Sequence, residues 1–315
     1  MPHPILGLHH VTATVGDAQA DLDFCLDVLG MRLVKKTVNF DNHNVYHFYY
    51  GTERGAPGTI WTTFPYKGYG VRVGAQGAGQ VVTTALSVPS GSLDYWRDRL
   101  REAGVNIRST ETRFPGEEAI RFEDPSGLWL ELVGTDQDAR VPWTGADVGA
   151  AEAIRGLHSV TMLVRSVEPT LGLMSDVLGY AVIGQAGNRT RVAVGGNGPG
   201  HIIDILVDSR ADGAVNGLGT VHHVAMAIAT GDEQVHLREE LLSRGLHVTE
   251  VRDRCYFQSI YFREPGGVLF EVATIHPGFT VDEELSSLGR GLKLPPWEEP
   301  HRASIEANLV PVEYR

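Results

Sequence analysis

The chain has 315 residues, 42% of them hydrophobic and 21% charged, an ordinary globular composition with enough apolar material for two cores. A formal charge of −12 without any Lys/Arg run excludes a basic surface for nucleic acid or anionic lipid, and no stretch approaches the roughly 18 uninterrupted apolar residues of a membrane span. Two cysteines, Cys25 and Cys255, and an N-terminus with neither a basic region nor a signal-length apolar run predict a reducing, cytoplasmic setting. The expected partner is a small molecule, and a homo-oligomer stays open.

Gly7-Leu8-His9-His10 opens an alternating strand, followed by a helix whose Leu22, Leu26 and Leu29 share a face and whose end falls at Gly30. Residues 45–50 and 59–64 read as strands joined by glycine-rich turns. The glycine-rich stretch 68–79 follows a strand and leads to another strand, so it is read as a mobile connection; a phosphate loop would have to open a helix. A helix over 92–103 stops at Gly104, and a hairpin runs from Phe122 to Glu131. Residues 134–153, with their Asp, Gly and Pro, form a linker.

The pattern then repeats. Gly156-Leu157-His158 matches Gly7-Leu8-His9, and eighteen residues after each histidine comes Asp-Val-Leu-Gly, at Asp27 to Gly30 and Asp176 to Gly179. Val221-His222-His223-Val224 restates Leu8-His9-His10-Val11, a helix over 232–244 stops at Gly245, and the hairpin from Phe122 to Glu131 returns from Phe262 to Glu271. The prediction is an α+β chain of four strand-helix-three-strand modules near 5–67, 79–135, 154–208 and 219–275. They are grouped as one double-module domain over 1–135, a linker over 136–153 and a second double-module domain over 154–275. The tail, 276–315, is helical from about Glu298 and packs over the body.

The repeat turns scattered residues into a candidate metal site. Neighbouring residues on a strand point to opposite faces, so one histidine of each doublet is chosen as the ligand. The third module keeps the first histidine as His158 but has Ser159 in place of the second, which selects His10 and His223. Alignment of the second module on the fourth puts Val82 approximately opposite His223. The combination Val82, Ser159 and Glu131 holds no metal, and Glu131 becomes structural or solvent-facing. The combination His10, His223 and Glu271 does hold one, which joins the first module to the fourth. Glu271 sits in the apolar run 268–273, where a carboxylate is costly to bury unless paired or coordinated. His3, His43, His47, His201, His236, His247, His276 and His301 have no repeat-equivalent partners and are read as ordinary.

With Gly7-Leu-His-His-Val-Thr12, Gly79-Gln80, Ser90-Gly-Ser-Leu93, Thr220-Val-His-His-Val224, Tyr256 to Gly266, Pro277-Gly-Phe279 and Leu294-Pro-Pro296, the chain resembles the vicinal oxygen chelate superfamily over nearly its whole length. More narrowly it resembles the hydroquinone ring-cleaving group, that of dichlorohydroquinone dioxygenase. The resemblance implies that His10, His223 and Glu271 bind Fe(II), with Mn(II) the other metal this ligand set accepts, and that O2 is the co-substrate. It further implies catalytic roles for Tyr261, His222 and Arg254, and substrate contacts for Thr12 and His9. Thr12 shares the strand parity of His10. Tyr261 shares the face of Glu271 if the connecting loop has an odd number of residues, and the odd loop is adopted. His222 has the wrong parity and needs a twist or bulge to reach the site, while Arg254 in Arg252-Asp253-Arg254 is read nearly as well as a solvated charge pair. The implied function is ring cleavage of a hydroquinone-type substrate. The alternatives are an extradiol catechol dioxygenase, a glyoxalase-like metal-dependent isomerase or lyase, and a non-catalytic ligand-sequestering protein.

Overall fold

The computed structural model describes residues 4–108 and 113–314. His3 lies outside the described residues. Each module is a strand, a helix and three strands. The first comprises β1 (Ile5–Val15), α1 (Ala18–Asp23), β2 (Arg32–Asn39), β3 (Asn42–Gly51) and β4 (Ile60–Pro65). The second comprises β5 (Gln80–Val88), α2 (Leu93–Glu102), β6 (Ile107–Arg108), β7 (Glu118–Glu123) and β8 (Trp129–Gly134). The third comprises β9 (Gly156–Val164), α3 (Glu168–Asp176), β10 (Ala181–Ala186), β11 (Arg189–Ala193) and β12 (Ile202–Val207). The fourth comprises β13 (Thr220–Ile228), α4 (Gly231–Ser243), β14 (Arg252–Asp253), β15 (Gln258–Arg263) and β16 (Leu269–Thr274). The tail carries α5 (Arg302–Asn308). No helix among the described residues is long and apolar enough to cross a membrane.

The strands form two eight-stranded sheets, β14-β15-β16-β13-β1-β4-β3-β2 and β10-β11-β12-β9-β5-β8-β7-β6. Their central pairs, β1 with β13 and β5 with β9, are antiparallel. Each sheet therefore takes one module from each half of the chain. The halves 1–135 and 154–275 describe sequence order, whereas hydrogen bonding joins first to fourth and second to third. The physical reason is that β1 and β5 are almost wholly buried, so their free edges must be covered by equally buried strands. The opening strands β9 and β13 are buried in the same way and cover them.

Asp17 caps α1 by accepting from the amides of Gln19 and Ala20, as an N-cap aspartate does. The helix continues into one π-turn, Phe24–Val28, before Gly30 at φ +65°. The extra residue in that turn brings Phe24 and Cys25 into the core with Leu22 and Leu29, and leaves the expected inward Leu26 only half-buried. The stretch 68–79 is not the free connection its glycines suggested. It pairs with the corresponding segment near 213–218 through Val73 with Leu218, Ala75 with Val215 and Ala78 with Gly213. A side chain at Gly77 would meet the Asp212 carbonyl at 2.5 Å, so glycine there serves close backbone approach. In the tail, Leu294, Ile305 and Leu309 enter the core, and the wholly buried Lys35 pairs with Asp282 and Glu283.

Candidate metal centre

β1 and β13 run side by side through the middle of their sheet, and β16 lies on the other side of β13. Their register places His10 opposite Ala225, and Ala225 beside Glu271. His10, His223 and Glu271 are the one group of metal-donor side chains gathered among the described residues, and all three are buried. His10 Nε2 and His223 Nε2 are 3.3 Å apart and lie 3.2 and 2.8 Å from the same carboxylate oxygen, Glu271 Oε2. Donors at about 2.1 Å from a metal in cis positions are about 3 Å from one another, so this triangle has the dimensions of one face of a coordination octahedron. The other carboxylate oxygen, Oε1, accepts a hydrogen bond from Ser259. The residues present fit a divalent ion held by two neutral imidazoles and one carboxylate, with the remaining positions open.

Strict strand alternation does not hold at either histidine doublet. Both doublets sit at β-bulges: the register skips His9 between Leu8 and His10, and skips His222 between His223 and Val221. A bulge lets adjacent side chains converge, as bulges beside active sites commonly do. His9 Nδ1 lies 2.8 Å from His10 Nδ1, and His222 Nδ1 lies 2.7 Å from His223 Nδ1. Each ligand histidine thus turns Nε2 to the metal position and Nδ1 to its neighbour, an arrangement that selects the ligand's tautomer and ring orientation. Burial, with the neighbouring His10, pushes His9 down to about 3, so its imidazole is neutral.

Beside the triad opens a cavity of about 230 Å³ whose walls include His47, Tyr49, Phe64, His222, Arg254 and Tyr261. The five residues from Glu264 to Val268 between β15 and β16 are an odd loop, and Tyr261 pairs directly across from Glu271. The Tyr261 hydroxyl accepts from Arg254 Nε at 3.0 Å, and its ring meets His223 edge-on with centroids 5.7 Å apart. Burial and the Glu271 charge raise Tyr261 and outweigh Arg254, so the phenol keeps its proton. Arg254 is no solvated pair with Asp253, because its guanidinium turns inward to Tyr261. His222 reaches the cavity through its bulge while staying exposed at the rim.

Two of the expected substrate contacts lie elsewhere. Thr12 does face the side of His10, but it is fully buried beneath Thr62, whose hydroxyl donates to it at 2.9 Å. His9 is likewise buried behind His10, against the Phe257 ring. The residue overlooked is His47. It lines the cavity, with Nε2 2.8 Å from Thr62 Oγ1 and its ring 4.0 Å from Tyr49 and 4.3 Å from Phe64. Burial first, then the neighbouring His10, His223 and Arg254, depress His47 well below the usual imidazole range. Its signal was the alternation His47-Phe48-Tyr49, which sets His47 and Tyr49 on one face of β3.

The second sheet repeats the framework without the donors. Ser159 sits opposite Ile202 and Ala85, as His10 sits opposite Ile60 and Ala225. Glu131 lies beside Ala85 as Glu271 lies beside Ala225. The equivalent of His223 is Thr83, which corrects Val82; Val82 occupies the bulge that His222 occupies in the other sheet. The offset between β5 and β13 is 140 residues, whereas the helix-terminating glycines, Gly104 and Gly245, differ by 141. One residue is added between strand and helix end. Glu131 is not solvent-facing: it is 3% exposed, with Arg113 Nη1 at 3.0 Å and Arg121 Nη2 at 2.8 Å.

Residues 7–132 and 156–272 match the model of the Glyoxalase/Bleomycin resistance protein/Dioxygenase superfamily. The chain is 42% identical over 315 residues to the Bacillus subtilis (strain 168) protein named "Putative ring-cleaving dioxygenase MhqO", covering 100% of this chain and 99% of that one. It is 38% identical over 304 residues to "Chlorohydroquinone/hydroquinone 1,2-dioxygenase" of Sphingobium indicum, with 94% and 93% covered. A crystal structure of a "putative dioxygenase" from Bacillus subtilis superposes with a TM-score of 0.94 at 41% identity, covering 99% of each chain. Glyoxalase I from Zea mays shares the fold at a TM-score of 0.62 and 15% identity over 85% of this chain and 92% of that one. With four matching modules, a two-histidine, one-carboxylate metal site and relatives along its full length, the chain belongs to the Glyoxalase/Bleomycin resistance protein/Dioxygenase superfamily and, within it, to the ring-cleaving dioxygenases.

Proposed function

We propose that this protein is an Fe(II)-dependent dioxygenase that opens the aromatic ring of a hydroquinone-type substrate with O2. The observation that carries the reading is the triad's position: three donors occupy one face of the metal position, and a cavity walled by aromatic rings opens beside them. A redox-active divalent metal held there would supply adjacent open positions for a phenolic oxygen and dioxygen, and a route for electrons between them. The name of the Sphingobium relative points to the same substrate class.

The chain's own groups supply positioning and proton handling. Tyr49, Phe64 and Phe257 offer ring surfaces for a flat substrate. His222, at the rim, is neutral, because burial and the neighbouring His223 push it down to about 3; it would relay a proton from a substrate hydroxyl toward solvent without holding it. Tyr261, protonated and held by Arg254, donates to oxygen as negative charge develops there. Arg254 keeps its positive charge, because Tyr261 and Asp41 outweigh the burial that disfavours it. Glyoxalase-type isomerisation is less favoured, because a single carboxylate reaches the metal position. Non-catalytic sequestration leaves a buried two-histidine, one-carboxylate cluster without a purpose.

Anaerobic reconstitution with Fe(II), and in parallel with Mn(II), followed by oxygen uptake across hydroquinones and catechols, tests the reading. Stoichiometric uptake with hydroquinone and the Fe(II) form is the expected result. Uptake with catechols alone, turnover without oxygen, or failure to retain any metal would each reject it in favour of a named alternative.

A further inference from the structure

The turn between β2 and β3 belongs to the first module, yet Asn39, Phe40 and Asp41 line the cavity together with Arg254 and Tyr261 of the fourth. Asp41 extends a carboxylate across the mouth. Its Oδ2 accepts from Arg254 Nη2 at 3.0 Å, and its Oδ1 accepts from Arg252 Nη1 at 3.1 Å. Asp253, between those two arginines in sequence, is occupied elsewhere: Oδ1 accepts from the amide of Cys255 at 2.7 Å. Among the described residues, Asp41 is the one acid that forms an ion pair with Arg254. The other end of the same guanidinium donates from Nε to Tyr261, with its carbon 5.2 Å from the Tyr261 ring centroid.

The turn that presents Asp41 is itself held. The Asn39 side chain accepts from the Asp41 amide at 2.9 Å, and the Phe40 ring meets the Trp297 ring of the tail with centroids 5.7 Å apart. His43 lies 3.3 Å from Glu298, the next tail residue. Arginine has a rotatable stem and several donors, so one hydrogen bond from Nε leaves the fork free to swing toward solvent. A second anchor on Nη2 removes that freedom. The Asp41 side chain is 58% exposed, and exposed ion pairs contribute little to global stability, so the pair's effect lies in where it puts the guanidinium.

We propose that Asp41 is a positioning residue that holds Arg254 against the Tyr261 hydroxyl across the boundary between the first and fourth modules. It rests on the functional reading above, in which Arg254 and Tyr261 serve the reacting oxygen. The tail, through Trp297 and Glu298, braces the turn from behind.

Asp41→Asn keeps the size and removes the charge. Its crystal structure, beside that of the wild type, decides the geometry without reference to turnover: Arg254 Nε leaving the Tyr261 hydroxyl is expected, and Arg254 remaining there overturns the proposal. In the Fe(II)-loaded enzyme, Asp41→Asn is expected to lower kcat/KM for hydroquinone about 10- to 100-fold, the scale of a misplaced catalytic group, at unchanged iron content. Asp41→Glu should restore most of it. In an Arg254→Lys background Asp41→Asn should add nothing; an equal, additive loss there would show action by another route and overturn the proposal. A wild type that consumes no oxygen with hydroquinone would sink the functional reading, while the crystallographic comparison would still decide the role of Asp41.

Discussion

The two sheets carry the same cradle twice, and they differ in which cation each is built to hold. Matching strand registers put Ser159 where His10 stands, Thr83 where His223 stands, and Glu131 where Glu271 stands. The surroundings change with them: Tyr261 corresponds to Arg121, Tyr49 to Arg191, His47 to Arg189 and Thr62 to Asp204. In the second cradle Arg113 Nη1 reaches both Glu131, at 3.0 Å, and Ser159 Oγ, at 3.3 Å, the equivalents of two metal donors. A guanidinium satisfies a buried carboxylate permanently, and it has no open position for a substrate. Imidazoles beside a carboxylate leave room for an exchangeable ion with free coordination. The fold supplies the convergence of strands in both places; chemistry follows from keeping cationic side chains away from one carboxylate and crowding them around the other.

The largest contrast should come from the two glutamates. Glu271→Ala should abolish metal retention and oxygen uptake together, while Glu131→Ala should keep one metal per chain and full turnover but unfold more easily. Metal analysis with denaturant unfolding reads both, and an active, iron-replete Glu271→Ala protein would end the comparison. Building the missing donors, Ser159→His with Thr83→His, should add no second metal while Arg113 remains; adding Arg113→Ala should raise the stoichiometry toward two. Arg113→Ala alone removes the cation shared by buried Glu131 and half-buried Glu117 and should cost about 3–5 kcal/mol in urea unfolding, with turnover unchanged.

The bulge histidines give a smaller contrast. His9→Ala and His222→Ala should weaken metal binding about 10- to 100-fold in chelator competition, the usual effect of removing an orienting partner. His158→Ala, whose neighbour is Ser159 at 3.0 Å, should leave it untouched. The smallest effect is in acid. Burial would raise Glu117, but the hydrogen bond from Arg191 and the charges of Arg113 and Arg191 hold it down at about 2. Its stabilisation is therefore complete above the unfolded glutamate pKa, near 4.3, and is lost as pH falls toward about 2. Glu117→Gln should flatten that acid limb of the stability profile, and an unaltered limb would mean that the second cradle does not depend on its charge pairing.

The four modules, the triad and the link between first and fourth modules were legible in the sequence because they rest on repetition. A repeated doublet, a repeated Asp-Val-Leu-Gly and a repeated hairpin leave the donors in register whatever the loops do. Strand alternation left Tyr261 dependent on the parity of one loop, since a side-chain period of two is a local property, and the structure sets it across from Glu271. What tertiary structure decided is whatever depends on contacts between distant segments. The donor set joins the first module to the fourth, but that β1 bonds edge to edge with β13, and β5 with β9, is settled by exposed edges and packing. Bulges at His9, Val82, His158 and His222 arise from register against a partner strand. His47 becomes a cavity wall only when β3 and β4 lie beside β1. Asp41 finds Arg254 across 213 residues, and Arg113 takes the metal's place because three strands bring Glu131 and Ser159 to it. Local periodicity selects which side chains share a face; the assembled sheets determine which faces meet.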